Sequence, residues 1–111
     1  MENLYLIKLS SGNEVFYKIG TTVHRFCRFY EIMKSGYSVE IIYMVHGIEF
    51  YEALNAEKYL QRMFDGYCPL VKFGGYTECF KYVDLNVYKN NLHSSITSHK
   101  EITQNIKISW R

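Results

Sequence analysis

The chain has 111 residues, is 48% hydrophobic and 17% aromatic, and carries a formal net charge of +2. That length suits one domain and leaves no room for two, and the apolar share excludes disorder over most of it. So small a charge excludes wholesale coating of duplex nucleic acid and leaves a local patch as the only basic contact.

In chain order, "NLYLIKL" alternates and is rich in β-formers, so it reads as a first strand. "SSGN" is a turn signal and "EVFYKIG" a second strand, and the short connection makes them an antiparallel hairpin. Val15, Tyr17 and Ile19 share one face of that strand; Phe16, Lys18 and Gly20 share the other. Tyr5 lies with Ile7 and Leu9 on the first strand. A helix capped by Thr22 is expected to run to about Lys34, with Val23, Phe26, Cys27, Tyr30 and Met33 toward the core. Gly36 ends it.

"YSVEIIYMVHG" is the most β-branched segment and reads as a third strand. A second helix follows from about Ile48 to Phe64, rich in Ala, Leu, Glu and Lys. "DGYCPLVKFGGYTE" is a loop, "CFKYV" a short strand or edge segment, and Asp84 caps a last helix ending near Leu92. The tail from His93 is weakly patterned, with Ile102, Ile106, Ile108 and Trp110 available for docking.

The second helix carries the most informative side chain. Ala53, Glu57, Leu60 and Phe64 are spaced 4, 3 and 4 apart and form one stripe, so Glu57 interrupts an apolar face. A carboxylate turned inward needs a cation, a metal, several donors or a proton. Glu52 and Lys58 lie off that stripe and read as solvent-facing charges.

Three cysteines, Cys27, Cys68 and Cys79, are odd in number and widely spaced, and neither Cys-x-x-Cys nor a zinc-spaced histidine pair occurs. A reducing, intracellular and cytoplasmic setting is expected rather than a disulfide framework. No leader peptide and no bilayer-length apolar run is read, so a soluble protein without membrane contact is expected.

These pieces, taken together, resemble a GIY-YIG nuclease domain of the divergent branch common in phages and large viruses. "NLY" (Asn3 to Tyr5) stands where that family has Gly-Ile-Tyr, and Tyr17 followed by "KIG" (Lys18 to Gly20) where it has Tyr-Ile-Gly. Arg28 stands eight residues after the glycine, "EKYLQRMF" (Glu57 to Phe64) matches the glutamate helix, and "ECF" (Glu78 to Phe80) matches the closing Glu-aromatic-Phe. The likeness covers roughly residues 3 to 83.

What the resemblance implies is an α/β (α+β) sandwich with a small, mainly antiparallel three-stranded sheet flanked by helices. Residues 1–92 would form the nuclease-like domain, and 93–111 a tail that docks on it. It further implies metal-dependent DNA endonuclease activity, with Tyr5, Lys18, Arg28 and Glu57 catalytic, and Glu57 holding Mg²⁺ or Mn²⁺. Tyr17, Gly20 and Arg25 would contact substrate, although the alternation alone places Tyr17 in the core. Lys18 would depress the Tyr5 pKa, contact phosphate, or act as base if its own pKa falls. The bland reading of Glu57 is a buried ion pair with Arg28.

Relatives place a histidine where Ile32 stands here and an asparagine late in the domain, for which Asn86, Asn90 and Asn91 are candidates. Glu78 reads as structural, bonding backbone near Gly74 and Gly75, and His24 and His46 as packed or solvated. Expected partners are DNA, whether duplex, branched or single-stranded, with Phe29, Tyr30 and Tyr76 available to stack bases, and a homodimer or a host protein besides. The alternative is a catalytically inactive GIY-YIG-like module that engages a host protein or nucleic acid.

Overall fold

A computed structural model describes residues 1–24, 26–97 and 101–108. Among them the chain forms strands β1 (Glu2–Ser10), β2 (Val15–Thr22), β3 (Ser38–Ile48), β4 (Cys79–Phe80) and β5 (Glu101–Lys107). Its helices are α1 (Cys27–Met33), α2 (Phe50–Gln61) and α3 (Leu85–Ser95). All strand pairs are antiparallel, in the order β4-β2-β1-β3-β5. The fold is thus α+β, but the sheet has five strands where the sequence suggested three. The short "CF" segment pairs with Tyr17 and Lys18, and part of the presumed tail pairs with β3. Trp110 lies outside the described residues.

Both faces of the sheet are covered, which is why β1 is buried from Asn3 to Ile7 rather than alternating with exposed positions. One face, with Leu4, Leu6, Ile19, Tyr43 and Val45, packs on Ala53, Ala56 and Leu60 of α2 and Tyr88 and Leu92 of α3. The other, with Tyr5, Ile7, Leu9, Phe16 and Met44, packs on Phe29 and Ile32 of α1 and on Phe73.

The helix caps follow from local chemistry. The Glu49 carboxylate accepts from the Tyr51 and Glu52 amides, and Asp84 accepts from the Val87 amide at 3.0 Å. The first helix departs from expectation. Thr22 is the last residue of β2, and its hydroxyl bonds His24 instead of capping a helix. Because β2 stays paired with β1 as far as Asn3↔Thr22, the helix starts later and in another phase. Phe29 and Ile32 are buried, whereas Val23, Cys27 and Tyr30 are exposed and Phe26 and Met33 half-buried. Burial of Phe29 removes it from any base-stacking role. Glu52, expected in solvent, is half-buried and accepts from the Thr97 amide and hydroxyl.

Glu14, in the β1–β2 turn, ties down the loop before β4. It accepts from the Tyr37 hydroxyl at 2.6 Å, the Leu70 amide at 2.9 Å and the Tyr67 hydroxyl. Burial pushes its pKa up, but the two tyrosines and the amide outweigh that and hold it below the ordinary value. Ionised Glu14 therefore stabilises the fold above its unfolded pKa, and the contribution is lost as pH falls through the folded one. Glu14→Ala is expected to cost on the order of 2 kcal/mol. Hydrogen exchange at Leu70 and Val71 should rise before global unfolding, and unchanged protection there would contradict the role.

A candidate active site at the uncovered end of β2

β2 presents Tyr17 to one face of the sheet and Lys18 to the other. Among the described residues its outer edge is paired with a strand only at Tyr17 and Lys18. Beyond them, side chains of α2 take over: Gln61 Nε2 donates to the Ile19 carbonyl at 2.8 Å, and the Thr21 amide acts on the Glu57 carboxyl, favouring its ionised form. Glu57 is thereby drawn from the helix-covered face to the strand edge, where it comes within electrostatic reach of Lys18 and Glu78.

On the α1 face, Lys18 is buried at 1% exposure, and its Nζ donates to the Tyr5 hydroxyl at 2.7 Å and to Glu78 Oε1 at 3.1 Å. The Tyr5 ring sits edge-on against Phe29, with centroids 5.0 Å apart. Two glycines make room for this cluster. A Cβ on Gly20 would lie 2.7 Å from Tyr5 Cζ and 2.9 Å from Lys18 Nζ; one on Gly75 would lie 2.9 Å from Lys18 Cε. Gly75 also has φ 84°, the left-handed conformation that admits glycine most readily, and it opens the turn that delivers Glu78.

Arg28 is exposed on α1, and its guanidinium acts on the Tyr5 hydroxyl through space. Two open depressions of about 470 and 330 Å³ flank it, one reaching Phe73 and Gly74, the other Thr21, Thr22 and His24. No ion pair joins Arg28 to Glu57 among the described residues, so the bland reading of Glu57 does not describe this geometry.

Electrostatics separate the roles. Burial raises the Tyr5 pKa and prevails over the lowering effect of Lys18. Burial disfavours the Lys18 ammonium, yet Tyr5 and Glu78 together hold its pKa above the ordinary value. Lys18 does depress Tyr5 as expected, but burial outweighs it, and Lys18 keeps its own proton, so neither group is tuned as a base. Glu57 is different. Burial first, then Glu78, pushes its carboxyl up to about 7 against the pull of Lys18 and the Thr21 amide.

The structure thus brings together Tyr5, Lys18, Gly20 and Glu57, with Arg28 beside them. It does not bring Tyr17, which points to the opposite face, half-buried against Tyr82 at 5.6 Å. Arg25 lies outside the described residues. Ile32 is core. Asn91 bonds Tyr59 and the Val87 carbonyl, while Asn86 and Asn90 are exposed. His24 is exposed; His46 is buried, bonded to Asn3 at 2.8 Å and Thr103 at 2.7 Å.

Glu78 does bond backbone at this turn, its amide donating to the Gly75 carbonyl at 3.0 Å, but its carboxylate has a partner that sequence reasoning missed. It reaches Lys18, 60 residues away, and only its place in the "ECF" motif could have signalled this. No protein-family model, curated protein or solved structure matches the chain.

Proposed function

We propose that the chain is a divalent-metal-dependent endonuclease that hydrolyses phosphodiester bonds in DNA at the Gly20 end of β2. The observation that carries this reading is the cluster at the end of β2, where buried Lys18 acts on both Glu57 and Tyr5 and exposed Arg28 acts on Tyr5. Lys18 does not offset burial and Glu78 at this carboxylate, whose pKa stays near 7, so a further positive charge would stabilise its ionised form.

The donor set suits Mg²⁺ or Mn²⁺ bound through that single carboxylate, with water and substrate phosphate completing the shell. No three His, Cys, Asp or Glu side chains gather into a protein-only cage among the described residues. When bound, such an ion supplies charge neutralisation at the scissile phosphate and leaving oxygen. Arg28 takes phosphate oxygens with its planar fork of donors. Lys18 provides fixed positive charge beneath the site and holds the Tyr5 hydroxyl oxygen as acceptor, leaving that hydroxyl's own proton to orient a water. Tyr5 positions rather than deprotonates.

One observation favours a second reading, a DNA-binding module without catalysis: Tyr5 and Lys18 are each only 1% exposed. Incubation of supercoiled plasmid, linear duplex and single-stranded DNA with Mg²⁺ or Mn²⁺, and with chelator, separates the two. We expect metal-dependent cutting that Arg28→Ala slows about 100-fold. Cutting in chelator, or a wild-type rate in Arg28→Ala, overturns the nuclease assignment; binding without cutting establishes the second reading.

A further inference from the structure

We propose that the outer face of α2 is a track for unpaired nucleic acid, separate from the buried stripe that carries Glu57. The inference goes beyond the nuclease reading, and the track is argued from α2 alone. Tyr51, Leu54, Lys58 and Arg62 are spaced 3, 4 and 4 apart and therefore form one stripe, on the side of the helix turned away from the buried stripe that carries Glu57. Tyr51 is 69% exposed, and Lys58 and Arg62 are exposed with no ion-pair partner among the described residues. Phe50, half exposed, stands against Tyr51 with ring centroids 5.2 Å apart. From Tyr51 to Arg62 the track runs about 16 Å.

An aromatic pair at one end and two cations beyond it match what an unpaired strand offers: base faces and phosphates. In a duplex the base faces are stacked inside and only the phosphates remain, so Tyr51 and Phe50 discriminate for unpaired bases. The net charge of +2 points the same way, because affinity from counterion release alone stays small. An acidic protein surface would satisfy Lys58 and Arg62 but would leave the two rings without stacking partners.

Fluorescence anisotropy with a labelled oligo(dT) and a blunt duplex of equal length, in chelator so that nothing is cut, tests this. We expect oligo(dT) to bind at least ten-fold tighter than duplex. Tyr51→Ala should weaken it about ten-fold while Tyr51→Phe does not. Lys58→Gln and Arg62→Gln should each reduce the salt slope by about 0.7. Equal binding of both DNAs, or an unaltered affinity in Tyr51→Ala, overturns the track. Cleavage that persists with no such binding leaves the nuclease reading standing and removes only this inference; selective binding without cleavage does the reverse.

Discussion

Gly20→Ala is expected to be the most destabilising small substitution in the protein, costing about 3 kcal/mol. The added methyl meets the Tyr5 hydroxyl and lies 2.7 Å from Tyr5 Cζ and 2.9 Å from Lys18 Nζ. None of these neighbours can give way cheaply. The Tyr5 ring is held by Phe29 and is 1% exposed, and Lys18 is pinned between Tyr5 and Glu78. Relief would require breaking the half-buried Lys18–Glu78 ion pair or shifting β1 against β2. Thermal unfolding should show a fall in Tm of roughly 15 °C. Gly12→Ala is the control: its Cβ would meet nothing within 4 Å, and it should change stability by less than about 0.5 kcal/mol. Combining Gly20→Ala with Tyr5→Leu should cost less than the sum of the two, because the second change removes the ring end that the first strikes. A stable Gly20→Ala protein would mean that the Tyr5–Lys18 contact is not packed against the strand.

Glu57→Gln should stabilise the protein in alkali while abolishing cleavage. The folded-state pKa of about 7 lies above the ordinary carboxyl value of 4.5, so the fold binds the Glu57 proton more tightly than the unfolded chain does. Whatever Glu57 adds to stability is present below pH 4.5 and is lost as pH rises toward about 7. The carboxamide introduced by Glu57→Gln carries no charge at any pH, and its oxygen can still face the Thr21 amide. The variant should therefore match wild type below about pH 4.5 and exceed it above about pH 7 by about 2 kcal/mol, allowing for solvent screening of a partly accessible group. Denaturant titrations from about pH 4 to about pH 8 measure this directly. Mg²⁺ should raise the wild-type Tm at about pH 8 and leave Glu57→Gln unmoved, a readout independent of cutting. A pH-independent difference would show that Glu57 ionises freely. An equal Mg²⁺ shift in both proteins would place the ion elsewhere.

How much of this could be read from the chain depends on how far apart the interacting parts lie. Alternation placed Tyr5 with Ile7 and Leu9, and Lys18 with Phe16 and Gly20, and these sets share one covered face. The stripe of Ala53, Glu57 and Leu60 is buried as spaced, and Asp84 caps α3. Each of these depends only on residues within a few positions of one another. The phase of α1 did not follow, because it is set by how far β2 remains zipped to β1, a pairing across the hairpin and not a property of residues 22 to 34.

The sequence by itself determined the hairpin and the inward-facing carboxylate of α2, since periodicity of two or 3.6 is written into local order. Only the tertiary structure decided that Glu78 closes on Lys18, that Tyr17 turns away from the site and that residues 101 to 107 form a fifth strand. Those outcomes turn on which backbone edge is left unpaired after the hairpin forms, and nothing in the order of neighbouring side chains encodes which distant segment arrives to satisfy it.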